Sequence, residues 1–212
     1  MKDPGVYAIM TEPKIGYRAF MEICVQEKLP VVQLRDKNLP DGDLLDLARE
    51  LSAIRAGSGT KLIINDRADI AYLAGADGVH LGQDDLRMSD ASRLWPARHI
   101  SGLSTHSISQ VSAALAQKPD YIGFGPVFPT PTKAKADPAV GIAALREVIE
   151  AAPCPVICIG GIDSGNVESV LEAGARNVCM VRYFCDCASP RSRITEIQKL
   201  VTERGISRWS EG

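Results

Sequence analysis

Eight short apolar runs, each followed by a stretch of helical or loop character, recur along the chain, and this alternation limits its fold more than any other feature. The runs are VYAIMT, PVVQLR, KLIIN, DGVHL, HISGLST, YIGFG, PVICIGG and NVCMV. They are apolar on successive residues rather than on alternate ones, which marks strands buried on both faces, as in a parallel sheet covered by helices. Between the runs lie helical patterns such as 42–56 and 142–152. In the first, Leu44, Leu47, Leu51 and Ile54 recur every three to four residues and predict one apolar face, with Asp41 as the N-cap. Eight βα units in 212 residues predict an α/β protein of the (β/α)₈ TIM-barrel class. An open doubly wound sheet is the competitor. The barrel is preferred because polar residues follow the strand ends throughout the chain, whereas an open sheet gathers them at one switch point. No linker or low-complexity stretch divides the chain, so one domain over 1–212 is expected, with a frayed tail from about 205.

The net charge of −2 shows no excess of Lys and Arg of the kind a nucleic-acid surface needs. No apolar run is long enough to span a bilayer, and the start, MKDPGVYAIMTEP, lacks a signal-peptide core. A soluble cytoplasmic protein acting on small molecules is expected, and homo-oligomerisation stays open. Of the six cysteines, Cys24, Cys154, Cys158 and Cys179 sit among apolar residues and read as small buried hydrophobes. Cys185 and Cys187 form a C-x-C pair, but no second pair at zinc-site spacing comes after them.

A barrel of this class carries its site at the C-terminal mouth, so the residues just past each strand end matter most. The second strand runs out into Gln33-Leu34-Arg35-Asp36-Lys37, and alternation puts Gln33, Arg35 and Lys37 on one side. After the third and fourth strands come Asn65-Asp66 and Asp84-Asp85; Asp66 with Asp85 suits Mg²⁺, which takes one or two carboxylates and fills its shell with water and phosphate oxygens. A helix cap at Asp66 and a turn at Asp85 are the competing explanations. Ser104 closes the fifth strand, His106 comes next as a structural hydrogen-bonding group or a proton carrier, and Ser107 is the natural cap of the next helix. The sixth strand leads into GPVFPTPTK, where three prolines restrict the loop that bears Thr130, Thr132 and Lys133. The seventh ends in Gly160-Gly161, with a helix expected to start near Ser164, and the eighth ends in Val181-Arg182. Bare glycine amides, cations and hydroxyls of this kind bind anions. Neither a Ser-His-Asp set nor a nucleotide-binding glycine loop is traceable, so the chemistry expected is one that needs little covalent help.

The segments QLRDK, INDRADIA, ADGVHLGQDDL, GLSTH, DYIGFGPVFPTPTK and IGGI, in this order and with YAIMT before them, resemble the thiamine phosphate synthase family. The resemblance implies a transferase that joins 4-amino-5-hydroxymethyl-2-methylpyrimidine diphosphate to 4-methyl-5-(2-phosphoethyl)thiazole, releasing pyrophosphate. It implies that Gln33, Leu34, Arg35, Asp36, Lys37, Asn65, Ser104 and Lys133 hold the pyrimidine diphosphate, with Arg35 and Lys133 catalytic. It implies Mg²⁺ on Asp66 and Asp85, and the thiazole phosphate on Thr130, Thr132, Gly161 and the Val181-Arg182 position. The family usually carries serine where this chain has Arg182. A thiazole phosphate tautomerase and a non-catalytic phosphate-binding relative are the alternatives.

Overall fold

Strand order in the computed structural model, which describes residues 3–95, 98–130 and 137–204, is simply chain order. The strands are β1 (Val6–Met10), β2 (Val31–Leu34), β3 (Lys61–Asn65), β4 (Gly78–Leu81), β5 (Ile100–Thr105), β6 (Tyr121–Phe124), β7 (Val156–Ile159) and β8 (Asn177–Cys179). Each pairs in parallel with the next, and β8 returns to β1 through Val6 and Tyr7, so the sheet closes into a barrel. The seam is reinforced from the side: the Gly5 amide donates to Asn177 Oδ1 at 3.0 Å, and the Val178 amide donates to the Gly5 carbonyl at 2.8 Å. Helices α1 (Tyr17–Gln26), α2 (Asp41–Arg55), α3 (Ala68–Leu73), α4 (Met88–Ala91), α5 (Ile108–Leu115), α6 (Gly141–Ala151), α7 (Val167–Glu172), α8 (Val181–Cys185) and α9 (Pro190–Glu203) make up the outer layer. This is the (β/α)₈ barrel expected from the alternation.

The two-residue period of the strands sorts their side chains into two cores. Ala8, Val32, Leu34, Leu62, Ile64, Val79, Ile122, Phe124 and Val178 point outward into the large core shared with the helices, where they meet residues such as Phe20, Leu51 and Leu145. Tyr7, Ile9, Val31, Ile63, Tyr121, Ile157 and Cys179 fill the barrel interior. On α2 the buried residues are Leu44, Ala48 and Leu51, with Leu47 and Ile54 half-buried beside them. Each fully buried side chain of Leu51's size contributes about 1.5–3 kcal/mol to holding helix on sheet.

Four details differ from the expectations. Asp41 lies inside the first turn of α2, after the cap residue Pro40, and its carboxylate is taken by Arg67 instead of by the helix amides. β8 stops at Cys179, and Val181 and Arg182 open the short helix α8. The helix after β7 starts at Val167, because Asp163 and Asn166 first close a turn in which the Asp163 amide donates to Asn166 Oδ1 at 2.9 Å. Cys154 is only half-buried, while Cys24, Cys158 and Cys179 are buried as expected. Cys185 and Cys187 are buried too, and their thiols donate to the carbonyls of Ile9 and Phe184, each at 3.3 Å. Ser107 does cap α5, accepting from the Gln110 amide at 3.3 Å. No helix among the described residues is long and apolar enough to cross a membrane. The expected frayed tail lies outside the described residues.

Candidate active site

A cavity of about 1150 Å³ opens where the strands end, and its walls come from the segment after nearly every one of them. Gln33, Arg35, Lys37, Asn65, Asp66, Asp85, Ser104, Thr130, Gly161, Val181 and Arg182 all line it. Gln33, Arg35 and Lys37 reach it together because they occupy alternate positions along one extended segment. The same alternation takes Leu34 away: it is 1% exposed and packed in the outer core. The Asp36 side chain does not line the cavity either, because it organises the turn behind it. Its Oδ2 accepts from the Tyr17 hydroxyl at 2.6 Å, and its Oδ1 from the Asn38 and Leu39 amides at 2.8 and 3.0 Å. The expectation that every residue from 33 to 37 faces the ligand therefore gives way to alternate residues doing so through their side chains. Thr132 and Lys133 lie outside the described residues.

One flank of the mouth carries paired acids. Lys37 Nζ stands 2.9 Å from Asp66 Oδ2. The Asp85 carboxyl meets Asp66 within hydrogen-bonding reach and accepts from the Gly82 amide through Oδ2 at 2.6 Å. Partial burial first, and the neighbouring Asp66 next, push the Asp85 carboxyl above the ordinary aspartate range. Two carboxylates held this close repel unless a proton or a cation lies between them. Asp66 also sits in left-handed backbone, φ 62°, with its amide donating to the His80 carbonyl at 2.8 Å. Strained backbone of this kind persists where the surroundings over-determine it, as at a ligand clamp. The cap position of α3 falls at Arg67 rather than at Asp66, whereas Asp85 does close a turn, its Oδ2 accepting locally from the Gly82 amide. Among the described residues there is no cluster of three or more potential metal-binding side chains, so a cation held here would have the two carboxylates as its protein donors and fill its shell with solvent or ligand. That set matches the oxygen chemistry of Mg²⁺.

The floor holds a buried polar string that single-strand reading does not reveal. Gln33 Nε2 donates to the Tyr7 hydroxyl at 2.9 Å, the Tyr7 and Tyr121 hydroxyls meet at 2.7 Å, and Tyr121 meets His80 Nδ1 at 3.0 Å. His80 Nε2 then reaches Ser104 Oγ at 2.8 Å. Burial keeps both phenols protonated, far above the usual tyrosine range. Cys179 also reaches the floor, and burial raises its thiol well above the ordinary cysteine range, which disfavours the thiolate.

On the opposite flank the loop after β6 is locked to the end of β7. The Val127 amide donates to the Ile159 carbonyl at 2.9 Å and the Phe128 amide to the Gly160 carbonyl at 3.0 Å. A Cβ on Gly160 would stand 2.4 Å from Pro126 Cα, and one on Gly161 would stand 2.7 Å from the Pro129 carbonyl oxygen. Glycine is required there by close backbone approach. His106 helps hold this loop, its Nδ1 donating to the Gly125 carbonyl at 2.5 Å, with Nε2 3.5 Å from Asp137 Oδ2. Arg182 is exposed at the rim, and its Nε donates to Asp186 Oδ2 at 2.9 Å, one turn further along the chain.

A closed parallel barrel whose C-terminal mouth gathers cations, glycine amides and an acid pair is an enzyme-type (β/α)₈ barrel suited to phosphorylated ligands. The family model described as thiamine monophosphate synthase matches residues 6–184. A thiamine-phosphate synthase of Halalkalibacterium halodurans is 36% identical over 97% of this chain and 99% of its own length. Another, from Thermosynechococcus vestitus, is 38% identical over 92% of this chain, which spans only 55% of that relative. Among solved structures, a thiamine phosphate pyrophosphorylase from Pyrococcus furiosus superposes with a TM-score of 0.86 at 27% identity, covering 96% of this chain and 98% of that one. A 3-hexulose-6-phosphate synthase, with a TM-score of 0.66 at 16% identity over 92% and 98% of the two chains, shares the fold alone. The chain belongs to the thiamine monophosphate synthase family.

Proposed function

We propose that this chain joins 4-amino-5-hydroxymethyl-2-methylpyrimidine diphosphate to 4-methyl-5-(2-phosphoethyl)thiazole, giving thiamine phosphate and pyrophosphate. The observation that carries the reading is the convergence of Arg35, Lys37, Ser104 and the Asp66–Asp85 pair on one rim above a floor without an ionised nucleophile. Such a rim suits the departure of a diphosphate rather than attack by a protein side chain. In this reading Gln33 and Asn65 orient the pyrimidine, while Arg35, Lys37, Ser104 and Lys133 hold the diphosphate and stabilise the charge that grows on it. The backbone of Leu34 and Asp36 keeps the alternate side chains in register. Asp66 and Asp85 would hold Mg²⁺, which when bound neutralises charge on the leaving diphosphate.

The carbon–oxygen bond to the diphosphate breaks first, and the pyrimidine-methyl cation is captured by the thiazole nitrogen. Arg35 and Lys133 act on the departing group, and the aminopyrimidine itself supplies electron density to the cation. Ile9, Ile157 and Ile159 line the cavity and exclude water from this short-lived species. Thr130, Thr132, Gly161, Val181 and Arg182 hold the thiazole phosphate, so that the nitrogen already stands against the reacting carbon when the bond breaks. A cytoplasmic location belongs to the same reading, because both substrates are charged phosphate esters.

The test is turnover by the purified protein. Pyrophosphate release that needs both substrates and Mg²⁺, with a slowed chemical step in Lys133→Ala, supports the reading. Metal-independent isomerisation of a thiazole phosphate, or binding of that compound without turnover, overturns it.

A further inference from the structure

The polar string across the barrel floor links two ends of the mouth that lie 71 positions apart in the chain, Gln33 and Ser104. Each phenol in it has one proton and each link takes one. If Tyr7 accepted from both Gln33 and Tyr121, its own proton would lack a partner in a buried setting, and such donors are rare. With His80 carrying a single ring proton, the links therefore run all one way. In one sense Gln33 donates to Tyr7, Tyr7 to Tyr121, Tyr121 to His80 Nδ1, and His80 Nε2–H to Ser104. In the other sense every link reverses and the Gln33 amide turns over.

The two senses offer different faces to the mouth. The first leaves the Gln33 carbonyl as an acceptor and the Ser104 hydroxyl as a donor. The second leaves the Gln33 NH₂ with no partner and makes Ser104 an acceptor. Gln33 is 1% exposed, and its Oε1 is a buried acceptor without a hydrogen-bond partner. An unmet carbonyl oxygen is tolerated better than an unmet NH₂. The barrel also makes deliberate room for the string. A Cβ on Gly102 would stand 2.2 Å from Tyr121 Cζ and 2.6 Å from His80 Nδ1.

We propose that Tyr7, Tyr121 and His80 are positioning residues that lock this string in the first sense and so preset both the ring-reading end of the site and its anion-reading end for the ligand. The proposal rests on the function proposed above, because a ligand with an amino group at Gln33 and phosphate oxygens at Ser104 matches the first sense at both ends and the second at neither. Because the string already holds both ends in the matching state, neither end of the ligand has to reorient it on binding.

The experiment uses the full chain and two half-ligands, the free aminopyrimidine alcohol and pyrophosphate with Mg²⁺. Nitrogen-15 NMR of the histidine rings, with His80→Gln for assignment, is expected to show His80 protonated on Nε2 in the free protein and in both complexes. Each half-ligand is expected to bind Tyr121→Phe about tenfold more weakly than the parent, with binding still measurable. Tyr7→Phe, which severs the Gln33–Tyr7 link together with the Tyr7–Tyr121 link, should have the same effect and stands in if Tyr121→Phe does not fold. Any other protonation state of His80 in the free protein overturns the proposal, as does affinity for both half-ligands that is unchanged in both variants. Failure of either half-ligand to bind would count against the proposed substrates, and the His80 signal of the free protein would still decide the sense of the string.

Discussion

Gly102 has no side chain where Tyr121 needs the space: a Cβ there would stand 2.2 Å from the tyrosine Cζ. Both residues face the barrel interior from neighbouring strands, with Gly102 opposite Tyr121 in the register. Gly102→Ala should therefore displace the Tyr121 and His80 rings and lower stability by about 1–3 kcal/mol, the range for overfilling a packed core. Gly42 provides the contrast, since nothing lies within 4 Å of a Cβ built on it and it is exposed in the first turn of α2. Gly42→Ala should stabilise by about 0.5–1 kcal/mol. Urea midpoints of the two variants check the pair, and equal effects would contradict the packing account.

At Asp66 backbone and charge can be separated. The residue sits at φ 62°, which asparagine tolerates and alanine does not. Asp66→Asn and Asp66→Ala should both weaken Mg²⁺ binding by calorimetry. Without metal, Asp66→Ala should be the less stable of the two by about 1 kcal/mol, the cost of placing an ordinary side chain in left-handed backbone. Equal stabilities would show that the loop relaxes freely and that the conformation is not imposed.

Asp85 predicts a pH dependence. Its pKa is raised in the folded protein by burial and by Asp66. The stability this gives the metal-free protein is present below the unfolded aspartate pKa and lost as pH rises through the raised folded value. Asp85→Asn has no such titration. Its advantage in melting temperature over the parent should grow as pH climbs through the acidic range, then level off once Asp85 is ionised. Adding Mg²⁺ should raise the parent's melting temperature and the variant's much less. A difference that stays constant with pH would argue against the close acid pair.

The barrel was legible because a buried parallel strand must be apolar on both faces, and runs such as KLIIN and YIGFG state this locally. The mouth was legible because polar residues that interrupt such runs have nowhere to go but the rim. What escaped depended on distant partners. Asp41 reads as a cap until Arg67, 26 residues away, takes its carboxylate. Asp36 reads as a site residue until the Tyr17 hydroxyl claims it. Tyr7 and Tyr121, 114 residues apart, and His80 lie on three separate strands, and nothing local to any of them shows that they meet. Only closure of the sheet brings the three into one hydrogen-bonded string. The strand-like NVCMV ran past the true end of β8 because a short apolar run does not show where extended chain gives way to a helix.

Arg182 supplies the last prediction. Its Nε is taken by Asp186, which leaves the outer edge of the guanidinium available at the rim. A guanidinium presented this way suits bidentate contact with a phosphate. The Asp186 pair is exposed on both sides and contributes little to stability, so the pairing serves orientation more than folding. Arg182→Ser should raise the KM for the thiazole phosphate about tenfold, as expected for one lost charge-assisted contact, with little change in the KM for the pyrimidine diphosphate. Asp186→Asn should give a smaller shift in the same direction, because the guanidinium stays but loses its anchor. Steady-state kinetics with each substrate varied in turn separates the two effects. Faster turnover and a lower KM in Arg182→Ser would instead mean that the arginine crowds the site, and would remove it from the ligand-binding set.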